Sequence, residues 1–251
     1  MPKSFKHAIK ILLGGEQADA RDDKTKFPDM DEEFFRLYEK CKGATMTSIE
    51  RMYALYMSVK YVVASGVPGD FVECGVWKGG SAMLIALALK QLGVKNRKLY
   101  LYDTYDGMTA PSDEDVDVSG AKAGELLARS DKRQDNSVWC YSSIEEVKNN
   151  LSLTGFDENN MVFVKGDILS TVPEIVPEAV SLLRLDTDWF ASTYHEMKHF
   201  YPLLSRNGVL IIDDYGHWAG SKKAVDLYAK ENNLRILLNR IDYTGRIAVK
   251  N

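Results

Sequence analysis

The first part of the chain carries apolar residues at helical spacing between polar stretches. Residues 1–15 predict a short amphipathic helix, whereas residues 16–30 are polar and charged and predict a linker. A second amphipathic pattern predicts a helix over about residues 31–41. The chain is therefore expected to begin with helices joined by polar segments.

A longer helical pattern follows. Thr47 and Glu50 have the spacing of a capping box, and apolar residues continue at helical spacing from Ile49 to Val63. The sequence Gly66-Val67-Pro68-Gly69 ends this helix. We predict that residues 1–66 form an N-terminal helical segment of the same domain.

From residue 67 onward, short apolar runs alternate with helical patterns, which predicts a mostly parallel sheet. The first five strands are predicted near residues 71–75, 98–103, 161–165, 180–186 and 208–213. After a helix at about 220–232, two runs at 234–238 and 243–249 can pair only as antiparallel strands. The pattern predicts a seven-stranded, Rossmann-like α/β core with an antiparallel last strand over residues 67–251.

Composition narrows the class of protein. A chain of 251 residues suits one α/β domain, and its net charge of -4, with lysine and arginine dispersed, argues against a nucleic-acid partner. Cys41, Cys74 and Cys140 lack the spacing of a zinc site or a disulfide framework, which favours a cytoplasmic protein. No apolar run approaches the length of about 18 residues that a membrane span needs.

The turn after the first predicted strand has the features of a cofactor site. Gly75, Gly79 and Gly80 allow close approach of the backbone, and the helix that begins near Ser81 offers free amide groups to a carboxylate. Glu73 supplies a negative charge for an ammonium group. The Gly-x-Gly-x-x-Gly motif of dinucleotide sites is missing. The amino-acid tail of S-adenosylmethionine fits this pattern, although a purely structural turn explains the glycines equally well.

Three further polar residues complete the predicted cofactor site. Asp103 ends the second strand, where a carboxylate can accept both hydroxyls of a ribose. Asp167 follows the third strand and is placed to reach the adenine amino group, and Ser143 is a candidate for lining the adenine. Capping of a local turn or helix remains the alternative for each of them.

Acidic residues also follow the fourth and fifth strands. Because the carboxyl ends of neighbouring parallel strands lie side by side, Asp186, Asp213 and Asp214 are expected to converge beside the cofactor. Bare carboxylates repel one another, and Mg²⁺ prefers such oxygen ligands. Asp186 is therefore predicted as metal ligand and catalytic base for a hydroxyl that attacks the sulfonium methyl. The alternative is that these acids cap the helices that follow.

Several residues near these acids are candidates for contacting an acceptor. His217 follows the fifth strand and is as readily explained by loop packing. Trp139, Tyr215 and Trp218 could form a stacking wall for a sugar ring, although aromatic residues are more often core.

The chain resembles the macrocin O-methyltransferase family, which includes the mycinamicin and novobiocin sugar methyltransferases. The resemblance rests on blocks of residues over about 44–250, namely Thr45-Met46-Thr47 with Glu50-Arg51, Pro68 to Gly80, Asp103 to Met108, Leu185-Asp186-Thr187-Asp188-Trp189 and Ile212 to Gly216.

This resemblance implies a class I methyltransferase that uses S-adenosylmethionine and Mg²⁺ to methylate a sugar hydroxyl and that forms a homodimer. It also implies that the N-terminal segment, residues 1–66, is a lid over the active site or a dimer contact. It implies that Asp186, Asp213 and Asp214 bind the metal and that Asp186 is the base. Thr45 and Met46, in the first matching block, join Tyr215 and His217 as candidate acceptor contacts. The family often has glycine where this chain has Thr187.

Two other enzyme classes fit parts of the pattern. A nucleotide-sugar oxidoreductase shares the expected sheet, and a metal-dependent hydrolase or phosphotransferase could use the same acids. A binding module without catalytic activity is the third alternative.

Overall fold

The computed structural model describes residues 20–135 and 137–251, so the helix predicted in residues 1–15 lies outside the described residues. Within these two ranges, three α-helices precede the sheet: α1 (Ala20–Lys26), α2 (Glu32–Cys41) and α3 (Ile49–Ala64). Helix α1 lies within the stretch that was predicted to be a linker. That prediction was wrong because charged residues such as those of α1 are compatible with a helix even without an apolar stripe.

The predicted cap of α3 is one residue too early. Ser48 has an extended backbone, and its hydroxyl oxygen accepts a hydrogen bond from the Arg51 amide at 3.2 Å. The Thr47 hydroxyl instead accepts a hydrogen bond from Arg184 at 3.1 Å. Thr47 therefore serves the site described below and not the helix end.

One seven-stranded sheet runs through the described part of the chain, in the order β3-β2-β1-β4-β5-β7-β6. Its strands are β1 (Asp70–Cys74), β2 (Leu99–Asp103), β3 (Met161–Lys165), β4 (Val180–Leu185), β5 (Leu204–Ile212), β6 (Asn239–Arg240) and β7 (Arg246–Val249). Strands β1 to β5 pair in parallel, and β7 pairs antiparallel with both β5 and β6. This is the predicted fold.

The sixth strand differs from the prediction. Residues 234–238 form no strand, and β6 contains only Asn239 and Arg240. Leu234, Ile236 and Leu238 pack as partly buried side chains against the core. Their alternation thus reports burial and not strand pairing.

Helices cover both faces of the sheet. They are α4 (Gly80–Gln91), α5 (Ala123–Ala128), α6 (Ile144–Ser152), α7 (Ile168–Thr171), α8 (Phe190–Phe200) and α9 (Ala219–Glu231), with 3-10 turns at Lys42–Ala44 and Glu158–Asn160. The core on one face joins α2, α3 and α4, and the core on the other joins α8 and α9. Within the described ranges, no helix has the length and apolar character to cross a bilayer.

The long connection between β2 and α6 lies close to β4 and β5. Ala123 and Leu127 of α5 pack with Trp189 and Trp218 in a small separate core. Asp117 also forms an isolated antiparallel bridge with Trp218. This connection is therefore tied to the loops that carry the predicted acids.

Candidate active site

A cavity opens at the carboxyl ends of β1, β2, β4 and β5, where a doubly wound sheet is expected to bind its ligand. Its wall also includes residues 44–47, which precede α3. The lining residues are Ala44, Thr45, Met46, Thr47, Arg51, Gly75, Val76, Trp77, Ser81, Tyr102, Asp103, Thr104, Gly107, Met108, Thr109, Cys140, Gly166, Asp167, Ile168, Asp186, Thr187, Asp188, Ser192, Asp213, Asp214, His217, Tyr243 and Thr244.

The glycines of the β1 turn have different roles. Gly75 lines the cavity at a φ of 85°, and a Cβ atom there would lie 1.9 Å from the Asp186 carbonyl oxygen. Gly79 and Gly80 lie outside the lining. A Cβ atom on Gly80 would lie 2.6 Å from the Ala44 carbonyl oxygen. Gly80 thus allows the N-terminal segment to pack against the start of α4, and Gly75 allows β1 to pass close to the acidic loop.

Glu73 lies behind the cavity wall. It is fully buried and accepts hydrogen bonds through Oε1 from the Ser81 hydroxyl and, at 2.6 Å, from Arg184 Nη1. Its Oε2 atom has no hydrogen-bond partner among the described residues. Burial raises the pKa of Glu73, although Arg184 opposes the shift. Ser81 lines the cavity and so separates Glu73 from a ligand.

Asp103 lines the cavity and also organises the β1 turn. Its Oδ2 atom accepts from the Val76 and Trp77 amides at 2.7 and 3.1 Å, and Oδ1 accepts from the Tyr105 amide at 2.7 Å. Burial raises the pKa of Asp103, against the effect of these amides. The turn-capping role is therefore present, and a ribose would have to share these oxygens.

The two residues predicted near the adenine differ in position. Asp167 lines the cavity, and its Oδ1 atom accepts from the Leu169 amide at 2.9 Å. Ser143 caps α6 by accepting from the Glu146 amide at 3.1 Å and lies outside the cavity lining. Only Asp167 is in position to touch a ligand.

The acids after β4 and β5 gather as expected, but in a different combination. Carboxylate oxygens of Asp186, Asp188 and Asp214 all lie within 4.8 Å of one another. Asp213 is ion-paired instead, through Oδ2 with Arg51 and through Oδ1 with Arg184 at 2.8 Å.

Sequence reasoning did not include Asp188 among the ligands. The available signal was its position two residues after Asp186, at the end of a buried strand.

The protonation of these acids follows their surroundings. Burial raises the pKa of Asp186 and Asp214 well above the usual range, and neighbouring carboxylates add to the shift. Burial also raises the pKa of Asp188 to about 7. Burial acts in the same direction on Asp213, but the two guanidinium groups hold its pKa below the usual value. Asp186, Asp188 and Asp214 therefore favour uptake of a proton or a cation, although Asp186 also forms an ion pair with Arg184.

Arg184 joins the cofactor turn to the acids. Its side chain is 2% exposed and contacts Glu73 at 2.6 Å, Asp186 at 2.6 Å and Asp213 at 2.8 Å. Sequence reasoning missed this residue. The signal was an arginine within the otherwise apolar end of β4.

Three of the four candidate acceptor contacts line the cavity: Thr45, Met46 and His217. The His217 ring is buried, its Nδ1 atom lies 3.3 Å from the Tyr243 hydroxyl, and Nε2 has no partner within the described ranges. Burial lowers the pKa of His217, which favours the neutral ring. Tyr215 instead donates to Asp226 at 2.7 Å, outside the cavity lining.

The predicted aromatic wall is not formed, because Trp139, Tyr215 and Trp218 all lie outside the lining. Trp218 packs edge to face on Trp189 with 4.9 Å between ring centroids. The Trp139 indole donates to the Leu127 carbonyl at 3.1 Å. These tryptophans stabilise the connection between β2 and α6.

Known proteins resemble this chain along nearly its whole length. Residues 16–249 match the TylF macrocin-O-methyltransferase family. A demethyldecarbamoylnovobiocin O-methyltransferase from Streptomyces niveus is 32% identical over 201 residues, which are 80% of this chain and 73% of the relative. A mycinamicin III 3''-O-methyltransferase from Micromonospora griseorubida is 30% identical over 202 residues, which are 80% of this chain and 76% of the relative.

Solved structures support the same relationship. The O-methyltransferase NovP superposes with a TM-score of 0.72 at 28% identity, covering 99% of this chain and 98% of its own. The calicheamicin methyltransferase CalS11 superposes with a TM-score of 0.58 at 17% identity, covering 99% of this chain and 93% of its own. At this identity the likeness is one of fold alone. The predicted class I methyltransferase fold is confirmed.

Proposed function

The chain belongs to the macrocin-O-methyltransferase family, and from this premise we propose that this O-methyltransferase transfers a methyl group from S-adenosylmethionine to a sugar hydroxyl. The acceptor class follows from relatives that are named for antibiotics, one of which is named for a rhamnosyl-tetracenomycin. An antibiotic sugar, a nucleotide sugar or a surface glycan would offer such a hydroxyl. The observation that carries the proposal is the group of carboxylates beside a cavity bounded by the Gly75 turn.

The cofactor is proposed to bind between the β1 turn and the ends of β2 and β3. Asp103 would accept a ribose hydroxyl, Asp167 would meet the adenine, and Ser81 would contact the amino-acid tail. Glu73 would act on the ammonium group from behind Ser81, and its unpartnered Oε2 atom is consistent with an absent cationic partner. Gly79, Gly80 and Ser143 would shape this site without direct contact.

A divalent cation fits the acids chemically. Asp186 and Asp214 offer hard oxygen ligands on the cavity wall, and their raised pKa values indicate that the ion pair of Asp186 with Arg184 does not compensate all the negative charge gathered there. Asp188 completes the group in the described geometry, whereas Asp213 would have to release an arginine to bind a metal. A bound Mg²⁺ would lower the pKa of an acceptor hydroxyl.

Asp186 is proposed to take the proton of that hydroxyl. Its carboxylate lines the cavity and is about a quarter exposed, at 26%, so an acceptor can reach it. Arg184 holds one of its oxygens at 2.6 Å and so fixes its orientation. Transfer then depends mainly on aligning the hydroxyl oxygen with the sulfonium methyl.

A transfer assay tests this function. The protein is incubated with radiolabelled S-adenosylmethionine, Mg²⁺ and a panel of free sugars, nucleotide sugars, glycosylated antibiotics and glycans. We expect label on a sugar oxygen of at least one class. Calorimetry that shows tight binding of NAD and none of S-adenosylmethionine would instead support an oxidoreductase, and turnover of phosphate esters without methyl donor would support a hydrolase.

We further propose that the enzyme is a homodimer, as the family resemblance implies. Light scattering should then give about twice the chain mass of 28.3 kDa. A monomeric mass at micromolar concentration would contradict this proposal.

A further inference from the structure

Helix α8 carries a carboxyl group that the proposed reaction does not use. Glu196 is fully buried, and its Oε1 atom accepts a hydrogen bond from the Thr187 hydroxyl at 2.9 Å. Its Oε2 atom has no partner in the described part of the chain. Burial of an incompletely bonded carboxyl costs free energy, and a hydrophobic residue could fill the same place in the core. Among the described residues, the Thr187 hydroxyl is thus the one hydrogen-bond partner of the Glu196 side chain.

Thr187 stands between two of the clustered acids. Asp186 precedes it, and Asp188 follows it with a φ of 65°, a left-handed conformation that is costly for residues other than glycine. The Thr187 carbonyl oxygen accepts from the Trp189 amide at 2.7 Å and from the Ser192 hydroxyl at 3.3 Å. The segment therefore turns sharply at Asp188. The side chain of Thr187 is held by α8, and its carbonyl oxygen is held by the start of the same helix.

We infer that Glu196 is a positioning residue: through its hydrogen bond with Thr187 it fixes the relative placement of the Asp186 and Asp188 carboxylates. The inference rests on the proposed function, in which these acids hold a cation and remove a proton. A turn with glycine at position 187 would have no side chain for such a tether. In this chain the Thr187 hydroxyl and the Glu196 carboxyl hold the turn in place.

A merely structural role for Glu196 leads to different expectations. If Glu196 only filled space in the core, its replacement would lower stability but leave kcat unchanged. If it acts through Thr187, loss of either partner should change the chemistry in the same way. Loss of both should then add little to the loss of one.

The test is a double-mutant cycle on the full chain with Thr187→Val, Glu196→Met and the double variant, because methionine at position 196 has no oxygen to accept from the Thr187 hydroxyl. Each substitution roughly keeps the size of the side chain and changes its hydrogen bonding. For each form, kcat and KM for the methyl donor are measured together with Mn²⁺ binding by electron paramagnetic resonance. We expect each single variant to lower kcat about tenfold or more with little change in the donor KM, since small misplacements of catalytic groups have large effects on rate.

The double variant should be no slower than the slower single variant, and Mn²⁺ affinity should fall in parallel. Thr187→Ser keeps the hydroxyl and should recover most of the kcat that Thr187→Val loses. Thr154→Val is a matched control, because Thr154 is a buried threonine whose hydroxyl donates to the Leu151 carbonyl at 2.6 Å, away from the cavity lining. It should leave kcat unchanged.

Additive losses in the double variant, or single variants with unchanged kcat and Mn²⁺ affinity, would overturn the inference while leaving the methyltransferase function intact. A wild-type protein that transfers no methyl group to any member of the panel would overturn the proposed function instead. In that case coupled Mn²⁺ affinities in the cycle would still support the tether, and uncoupled affinities would reject it.

Discussion

Arg184 Nη2 lies 2.6 Å from Asp186 Oδ2, so a fully buried cation holds the acid that is proposed to act as the base. The same guanidinium reaches Glu73 behind the cofactor turn at 2.6 Å. One side chain therefore connects the predicted cofactor site with the predicted acceptor site. Because both contacts are withdrawn from water, their loss would leave uncompensated charge in the core.

Arg184→Met is expected to lower the free energy of unfolding by about 3–5 kcal/mol, the usual effect of removing one partner of a buried ion pair. Urea denaturation measures this change. Arg129→Met is the control, because the Arg129 pair with Glu125 is exposed on a helix surface. Its loss should lower the free energy of unfolding by less than about 1 kcal/mol. Equal stabilities of the two variants would show that the buried acids do not depend on Arg184.

Asp186→Asn should fold and bind S-adenosylmethionine but lose methyl transfer by about 100-fold or more, because an amide cannot accept the proton. Calorimetry measures cofactor binding, and the labelled-methyl assay measures transfer. Asp157→Asn is a matched control at the opposite edge of the sheet, in the turn before β3. Full transfer activity in Asp186→Asn would reject Asp186 as the base.

Chelation tests the cation. EDTA should abolish transfer, and Mg²⁺ in excess over the chelator should restore it, because the acids would otherwise repel one another and the acceptor hydroxyl would lose its activation. The measurement is the rate of transfer before and after each addition. Transfer that is insensitive to EDTA would remove the metal from the proposal.

Asparagine variants distinguish the two candidate ligand sets. Asp188→Asn should weaken Mn²⁺ binding more than Asp213→Asn, since both oxygens of Asp213 are already paired with arginines. Asp213→Asn should instead lower stability, because Arg51 and Arg184 would lose a shared partner. Titration of Mn²⁺ followed by electron paramagnetic resonance ranks the variants. The opposite ranking would assign Asp213 to the metal, as the sequence first predicted.

Glu196 should make stability depend on pH. Burial raises its pKa from the usual 4.5 to about 8, so the folded state keeps a proton that the unfolded state has lost between these values. Its contribution to stability therefore declines as pH rises through this window, by up to about 1.4 kcal/mol per pH unit. Glu196→Gln lacks this proton, so its free energy of unfolding should rise relative to that of the wild type between pH 5 and pH 8. Urea denaturation measures this difference. If the difference in free energy of unfolding between the two proteins stayed constant across this pH range, Glu196 would ionise as an ordinary glutamate does.

The sheet was predictable because a parallel strand buried on both faces leaves a continuous apolar run in the sequence. The same logic located Asp103, Asp186 and Asp214, since the carboxyl ends of neighbouring parallel strands meet at one edge. Strand β6 was misplaced, because residues that pack against a core alternate in the same way as residues that pair in a sheet.

The ion pairs between arginines and acids inside the site were not predictable from the sequence. Arg51 and Asp213 are 162 positions apart, and nothing local to either residue indicates that they meet. Sequence reasoning could place Asp213 at a strand end but not determine that two arginines would occupy it. The glycines show the same limit: Gly79 and Gly80 look like cofactor glycines, although a Cβ atom on Gly80 would strike the Ala44 carbonyl.

The contact between Ala44 and Gly80 has a consequence for engineering the acceptor range. Residues 44–47 rest on the start of α4 with no space for a side chain on Gly80, so any graft that replaces the N-terminal helices must reproduce this backbone path. The connection between β2 and α6 meets the cavity mainly through Gly107, Met108, Thr109 and Cys140. A directed-evolution library should therefore keep the first region constant and diversify Met108 and Thr109. Gly107 should also be kept, because its φ is 88° and a Cβ atom there would lie 2.8 Å from the Trp139 carbonyl oxygen.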